Sequence, residues 1–572
     1  MIDFSIKLLN LFLKVLQQIL VLQNAIEEEK SKNSDLRAEL QQLRDENNRL
    51  KGEQARPNIK PNKKEAVLDP TPEPVAQAAK SHYSSESQRP KEQQNGSRTG
   101  FVVQRKKSKR DQIKIDREVV LNIDRENLPA DAQFKGYQEV IVQDIKIQTD
   151  NVRFKKAKYY SPSTGRTYLA ELPAGYQGQF GPTIRAFSII LYFMCNMTEP
   201  KILDLFSNIG IDLSSGQLSN FLIKGQDAFH AEKEQLYEAG LGSSPWQHLD
   251  DTSMRVNGIN QHAQIICNPL YTIYFTTVKK DRLSIIDTLL HNRERFFRIN
   301  QEAIEYLERV GLAKAKLELV SQLPYDQDFN ERDFVAQLEQ TVPGLGPRQQ
   351  KRILEAGYLA YYHSQSDWPV VNLLICDDAP QFKLITDELA LCWIHDARHY
   401  NKLNPFVAYH RHLLEKFMDS YWEFYRELDQ YRQAPDEAMA ERLRAKFVEL
   451  FSQKTGYDAL DDRISKTLAK KDELLAVLIH PEIELHNNPA ELGARRRVRK
   501  RVISVGTRSD DGTQAWDTFM SLVDTTRKLG ISFFDYIHDR IKGEGAIPPL
   551  AEIIKQLAEE GGLGASWNQP AN

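Results

Sequence analysis

Four cysteines in 572 residues, Cys195, Cys267, Cys376 and Cys392, stand far apart and form no C-x-x-C pair. Their scarcity excludes a zinc ribbon and a disulfide framework and fits a reducing compartment. Long apolar runs are missing too. The leucine-rich start is interrupted by Asp3, Lys7, Asn10 and Lys14, and no small-residue cleavage site follows, so neither a signal peptide nor a membrane span is expected. Net charge is almost absent, −3 at pH 7, yet RKKSKR (Arg105 to Arg110) and RRRVRK (Arg495 to Lys500) are dense basic runs. Phosphate responds to local charge, so near-neutrality does not exclude nucleic acid as a partner. A chain of this length buries several cores, and three or four structural units are expected.

What is present begins with heptads. Val15, Leu22, Leu36, Leu43 and Leu50 share one position and Ile19, Ile26 and Leu40 the other, which describes a coiled coil over residues 1–52. Asn33 and Asn47 on the second seam favour a parallel dimer, and a helix docked on the protein's own core is the alternative. Residues 53–111 are rich in Pro, Lys, Gln, Ser and Glu and read as a disordered linker ending in the first basic run. Residues 112–175 alternate like strands, with the turn SPSTG, and suggest a small β-rich module. In residues 183–240, EPKILDLFSNIGIDLSSGQLSNFLIKG has helix-turn-helix syntax with a turn at Gly210, although any helical hairpin matches it.

Three acidic segments carry the chemistry. HLDDT and LLICDDAPQF each place an aspartate after an apolar run, as at the end of a buried strand where open α/β sheets bind ligands. HNNPAELGARRRVRKR places Glu491 on a basic helix. Carboxylates without histidine or thiolate partners suit Mg²⁺ or Mn²⁺, and two such ions activate an attacking hydroxyl and stabilise the leaving oxygen of a phosphodiester. Plainer readings exist for each: Asp250 and Asp377 as turn aspartates, and Glu491 as the third residue of a capping-box helix begun by Asn488 and Pro489. Arg495 and Arg499 follow Glu491 at helical spacing and, with Lys500, are candidate phosphate contacts. In TVPGLGPRQQKRILEAG, residues Gly344, Gly346, Arg348 and Lys351 resemble the hairpin that grips a DNA phosphate in helix-hairpin-helix motifs, or form a plain loop before a helix.

The strand order read from Trp246 onward, three antiparallel strands and then crossovers to parallel ones, is that of a ribonuclease-H-like α/β fold. HLDDT, CDDAPQF, CWIHDARHY and HNNPAELGAR together resemble segments of DDE transposases of the insertion-sequence-66 family over about residues 186–540. The resemblance implies a catalytic and metal-binding triad of Asp250, Asp377 and Glu491. It also implies two Mg²⁺ or Mn²⁺ ions and double-stranded DNA, both element ends and target, as substrate. Asp251 and Asp378 stand beside the first two and compete for their roles. His395 and Arg398 match the family's C-W-x-H-x-x-R element, whereas the arginine the family places after its glutamate is Leu492 here. The family's cysteine-rich zinc element has no counterpart.

The catalytic domain is expected over residues 245–541 with helical insertions at about 283–365 and 400–480, followed by a tail over residues 542–572. The expected function is a prokaryotic insertion-sequence transposase in the cytoplasm, associated with the nucleoid. It would form a homo-oligomer through the coiled coil, possess no membrane partner, and have room for accessory transposition proteins. A catalytically silent DNA-binding descendant and a nuclease without strand transfer remain the alternatives.

Overall fold

The structure, a computed structural model, describes residues 114–123, 129, 132–176 and 178–561. The coiled coil of residues 1–52 and the linker of residues 53–111 lie outside the described residues. The chain divides into two units, residues 1–139 and 140–572. In the first, the described residues carry no helix or strand.

The second unit begins with less β structure than the sequence suggests. Only β1 (Lys158–Ser161) and β2 (Arg166–Leu169) form, pairing antiparallel across the SPSTG turn. Val140 and Val142, and then Ile145 and Ile147, alternate as strand residues do, but all are exposed. Alternation stabilises a strand only when one face is covered, and a lone hairpin offers no such cover. Four helices follow, Pro182–Ile189, Glu199–Asn208, Ser215–Ile223 and Asp227–Leu241. Gly210 turns the chain at φ 81°, and the Ser214 hydroxyl caps the third helix by accepting from the Gln217 N–H at 3.2 Å.

A five-stranded mixed sheet forms the centre. β3 (Trp246–Val256) and β4 (Ile259–Cys267) are joined by Asn257 and Gly258, both at positive φ (47° and 78°), as a tight hairpin turn requires. β5 (Thr272–Thr277) extends this side antiparallel. On the other side of β3 lie β8 (Leu373–Cys376) and β9 (Glu388–Leu391), both parallel, so the order is β5-β4-β3-β8-β9. Between β5 and β8 the chain inserts a helical region, including Glu331–Thr341 and Pro347–His363, and the two-stranded sheet of β6 (Phe296–Arg298) and β7 (Asp328–Asn330). After β9 comes a second helical region, Trp393–Asn401, Ala408–Gln433, Glu437–Ser452 and Asp458–Leu468, gathered on the buried Trp393, whose ring meets Tyr421, Phe424, Phe447 and Phe451.

The outer edge of β5 is closed by the helix Asp510–Lys528. Residues four apart on that helix supply the acceptors: Asp517 takes the Thr276 N–H (2.7 Å), Ser521 the Tyr274 N–H (2.9 Å) and Thr525 the Thr272 N–H (3.1 Å). An edge strand satisfied in this way presents no free ladder to another chain. The residues expected as a C-terminal tail carry a further helix, Leu550–Glu560, which packs on the helix Asp227–Leu241 with Leu550 and Ile554 fully buried. Among the described residues no helix is long and apolar enough to cross a membrane.

Candidate active site

β3 and β8 run parallel in register, with His248 opposite Ile375, so Asp250 and Asp377 emerge at the same end of neighbouring central strands. The helix Asn488–Ser504 packs on β3 and β4 and brings Glu491 to that end. Its approach is close because Gly493 has no side chain: a Cβ there would stand 2.8 Å from Ile265 Cγ2. The far end of the helix is also tied to β3, through Asn257 N–H to Thr507 O (2.7 Å) and Thr507 N–H to Arg255 O (3.1 Å).

Within each aspartate pair the two residues have different partners. Successive strand residues face opposite sides of a sheet. Asp251 accepts from Lys280 at 3.3 Å and from Gln381 at 3.0 Å. Asp378 is bridged by Lys383 at 2.8 Å and by Lys470. Burial alone would raise the Asp378 carboxyl, but its hydrogen bonds with Lys383 and Lys470 prevail and hold it below the ordinary range. Asp250 and Asp377, by contrast, have no cationic partner among the described residues: Asp250 accepts the Asp251 N–H at 2.8 Å, and Asp377 accepts the Ala379 N–H at 3.0 Å. Burial pushes Asp250 up to about 7, and the neighbouring charges of Asp377, Glu491 and Asp251 add to that rise. Mutual repulsion of this kind is what a bound cation relieves.

Glu491 is nearly buried and held by cations. Arg398 reaches its two oxygens at 3.3 and 3.0 Å, Arg495 donates at 3.4 Å, and His395 Nδ1 lies 3.5 Å away. Arg398 also donates to His395 Nε2 at 2.8 Å. Burial lowers the pKa of the His395 ring, the charge of Glu491 opposing it, and its Nδ1 edge faces that carboxylate. Cys392, His395 and Glu491 bring potential donor atoms within 4.8 Å of one another. However, burial pushes the Cys392 thiol up to about 12, which disfavours the thiolate a metal would need, and Arg398 already occupies His395 Nε2. The capping box expected of Glu491 does not form: the helix starts at Asn488, and the residue before it, Asn487, directs its side chain elsewhere.

The basic run is only partly a surface feature. Arg499 is exposed and Arg495 half-buried, but Lys500, expected to meet DNA, is fully buried over the Tyr192 ring (3.3 Å) and donates to Tyr192 O at 2.5 Å. Burial drops its pKa to about 7. Arg497 is likewise buried and pairs with Asp517 at 2.5 Å, while Arg496 pairs with Asp524 at 2.9 Å. The anionic partners that the run requires thus come largely from the helix Asp510–Lys528.

The hairpin Val342–Gly346 does connect two helices, with Gly344 at φ 71° and Arg348 exposed. Its groups are already engaged: Gly346 N–H donates to Gln349 Oε1 at 3.2 Å, Lys351 pairs with Asp281 at 2.9 Å, and Lys316 donates to Gly344 O at 2.8 Å.

One consequence concerns stability. A carboxyl whose folded pKa is raised contributes stability that is fully present below its unfolded value near 4 and is lost as pH climbs toward 7. Asp250→Asn is therefore expected to stabilise the metal-free chain at pH 8, by on the order of 2 kcal/mol, and to make no difference near pH 4. Thermal unfolding of both forms at the two pH values measures this. A pH-independent difference would mean that Asp250 does not carry the charge strain.

The features described so far define a mixed α/β protein with a carboxylate centre at one end of its sheet, ringed by arginine and lysine. The description "Transposase IS66 family" matches residues 371–515, a stretch holding Asp377, His395, Arg398 and Glu491, with Asp250 upstream of it. A curated relative, "Uncharacterized protein y4jO" of Sinorhizobium fredii (strain NBRC 101917 / NGR234), is 35% identical over 332 residues, 56% of this chain and the whole of that protein. The chain belongs to the IS66 family of transposases.

Proposed function

We propose that this transposase binds the ends of its element and cuts and joins DNA strands at a DDE centre made of Asp250, Asp377 and Glu491, on a ribonuclease-H-like sheet. The observation that carries the reading is the convergence of three carboxylates from the ends of β3 and β8 and from the helix Asn488–Ser504, two of them without cationic partners among the described residues, where burial and then its neighbours' charge raise Asp250. The residues fit the hard divalent cations the family implies: the donors are oxygens, and their repulsion is uncompensated at Asp250. Asp250, Asp377 and Glu491 would hold two Mg²⁺ or Mn²⁺ ions. When bound, these supply activation of the attacking hydroxyl, water first and then a freed 3′-hydroxyl, and charge stabilisation at the leaving oxygen.

The chain's own residues do the rest. Arg398 fixes the Glu491 carboxylate by hydrogen bonds, and His395 places its Nδ1 edge 3.5 Å from the same group. Asp251 and Asp378 hold Lys280, Lys383 and Lys470 beside the centre, where their charges would attract a phosphate backbone. Arg495 and Arg499 lie about one and two turns beyond Glu491, at the surface left open to DNA. Changing both to glutamine is expected to flatten the log–log salt dependence of DNA binding by about two units, since each lost phosphate contact releases roughly one counterion fewer. An unchanged slope would remove these arginines from the interface.

The direct test is incubation of the full chain with DNA carrying the flanking inverted ends of its element, with Mg²⁺ present or chelated. Metal-dependent nicks leaving 3′-hydroxyls, followed by strand joining, are expected. Cleavage without joining would make the protein a nuclease, and binding with neither would make it a silent descendant.

A further inference from the structure

Asn487 lies immediately before the helix that carries Glu491, and no part of it is exposed to solvent. Its side-chain amide is spent on β3 and its backbone N–H on the segment that begins the His395 helix. Nδ2 donates to Leu249 O at 2.8 Å, one residue before Asp250. Oδ1 accepts from His248 Nδ1 at 3.0 Å, two residues before Asp250. Its backbone N–H donates to Cys392 Sγ at 3.2 Å. Cys392 in turn donates its N–H to Cys376 O at 3.0 Å, one residue before Asp377, and begins the helix bearing His395 and Arg398.

These bonds also settle the state of His248. Because the Asn487 amide nitrogen points at a carbonyl, its oxygen must be the acceptor, so His248 carries its proton on Nδ1. His248 Nε2 is consequently a bare acceptor, buried and without a hydrogen-bond partner among the described residues, 3.9 Å from Glu484 Oε2. The ring is 1% exposed and donates this single bond. A buried polar side chain retained at that cost, with one acceptor unsatisfied, points to a positional role.

We infer that His248 and Asn487 are positioning residues, a clasp that sets Asp250, Asp377 and the Glu491 helix at the spacing their shared ions require. The inference rests on the proposed reading of those carboxylates as the catalytic centre. Groups that orient metal ligands from behind typically change metal affinity or activity 10–100-fold when removed.

Asparagine and glutamine at position 248 separate positioning from packing. The Asn amide nitrogen reaches about where Nδ1 stands, whereas that of Gln lies one bond farther out. Both variants leave a similar void, and circular dichroism and thermal unfolding report the folded fraction of each. His248→Gln is expected to raise the Mg²⁺ concentration for half-maximal cleavage at least about tenfold while DNA binding stays within about twofold, and His248→Asn to restore most of the loss. Asn487→Ala should behave like His248→Gln. Equal Mg²⁺ dependence of the Asn and Gln variants at matched folded fraction would overturn the clasp. Asp250→Ala in the same assay keeps the two ideas apart. If it still cleaves, the catalytic reading fails; if it is inactive while His248→Gln matches the parent, the clasp alone fails.

Discussion

Alanine at Asp250, Asp377 or Glu491 is expected to lower strand cleavage at least about a thousandfold, roughly 4 kcal/mol of barrier, while DNA binding persists. Each substitution removes an oxygen ligand but leaves the surrounding lysines and arginines in place. Alanine at Asp251 or Asp378 should behave differently. Those carboxylates are committed to Lys280 and Gln381, and to Lys383 and Lys470, so their loss frees cations and should cost no more than about tenfold. Single-turnover cleavage of labelled DNA, with gel-shift binding in parallel, compares all five variants. Inactive Asp251→Ala beside an active Asp250→Ala would move the metal site to the other face of β3.

Asp517→Ala is expected to destabilise the fold by about 3–5 kcal/mol and lower the melting temperature accordingly. Asp517 accepts from Arg497, from the Thr276 hydroxyl and from the Thr276 N–H on the sheet edge. Without it the Arg497 guanidinium, wholly buried, loses its counter-charge, and β5 loses a cap. Replacing Asp517 and Arg497 together by Leu and Met should recover part of the loss, because paired removal leaves no isolated charge. Thermal unfolding decides it: a double variant as unstable as Asp517→Ala would show that the hydrogen bonds to β5, and not the stranded charge, dominate.

The strands around Asp250 and Asp377 were legible because their text is unambiguous: apolar runs, a turn at Asn257 and Gly258, and aspartates at strand ends. The pairing of His395 and Arg398 with Glu491 was half legible, since the family resemblance singled out all three but gave no distance across 93 residues of chain. β9 was missed: its four residues, ELAL, are too few for a period to register. The basic helix was misjudged for a definite reason. Ala490, Gly493, Ala494, Arg497 and Lys500 recur at three- and four-residue intervals and form its buried face. The charge of the last two concealed a stripe that the small residues announced. Arg497 and Lys500 go inward because acceptors and aromatic rings from other elements, Asp517, Tyr192 and Trp516, await them, and no local pattern encodes partners that distant. The strand-like text of residues 140–157 erred the other way, with local propensity but no covered face.

The most direct measurement of the central claim is Mn²⁺ binding to the full chain, followed by electron paramagnetic resonance, for the parent and for Asp250→Asn, Asp377→Asn and Glu491→Gln. If the three carboxylates hold the ions, each substitution weakens binding at least about tenfold. In the parent, affinity should also climb between pH 6 and 8, as Asp250, raised to about 7, loses its proton to solvent and leaves a carboxylate for the incoming ion. Equal Mn²⁺ affinity in all four proteins, with no pH dependence, would contradict the account.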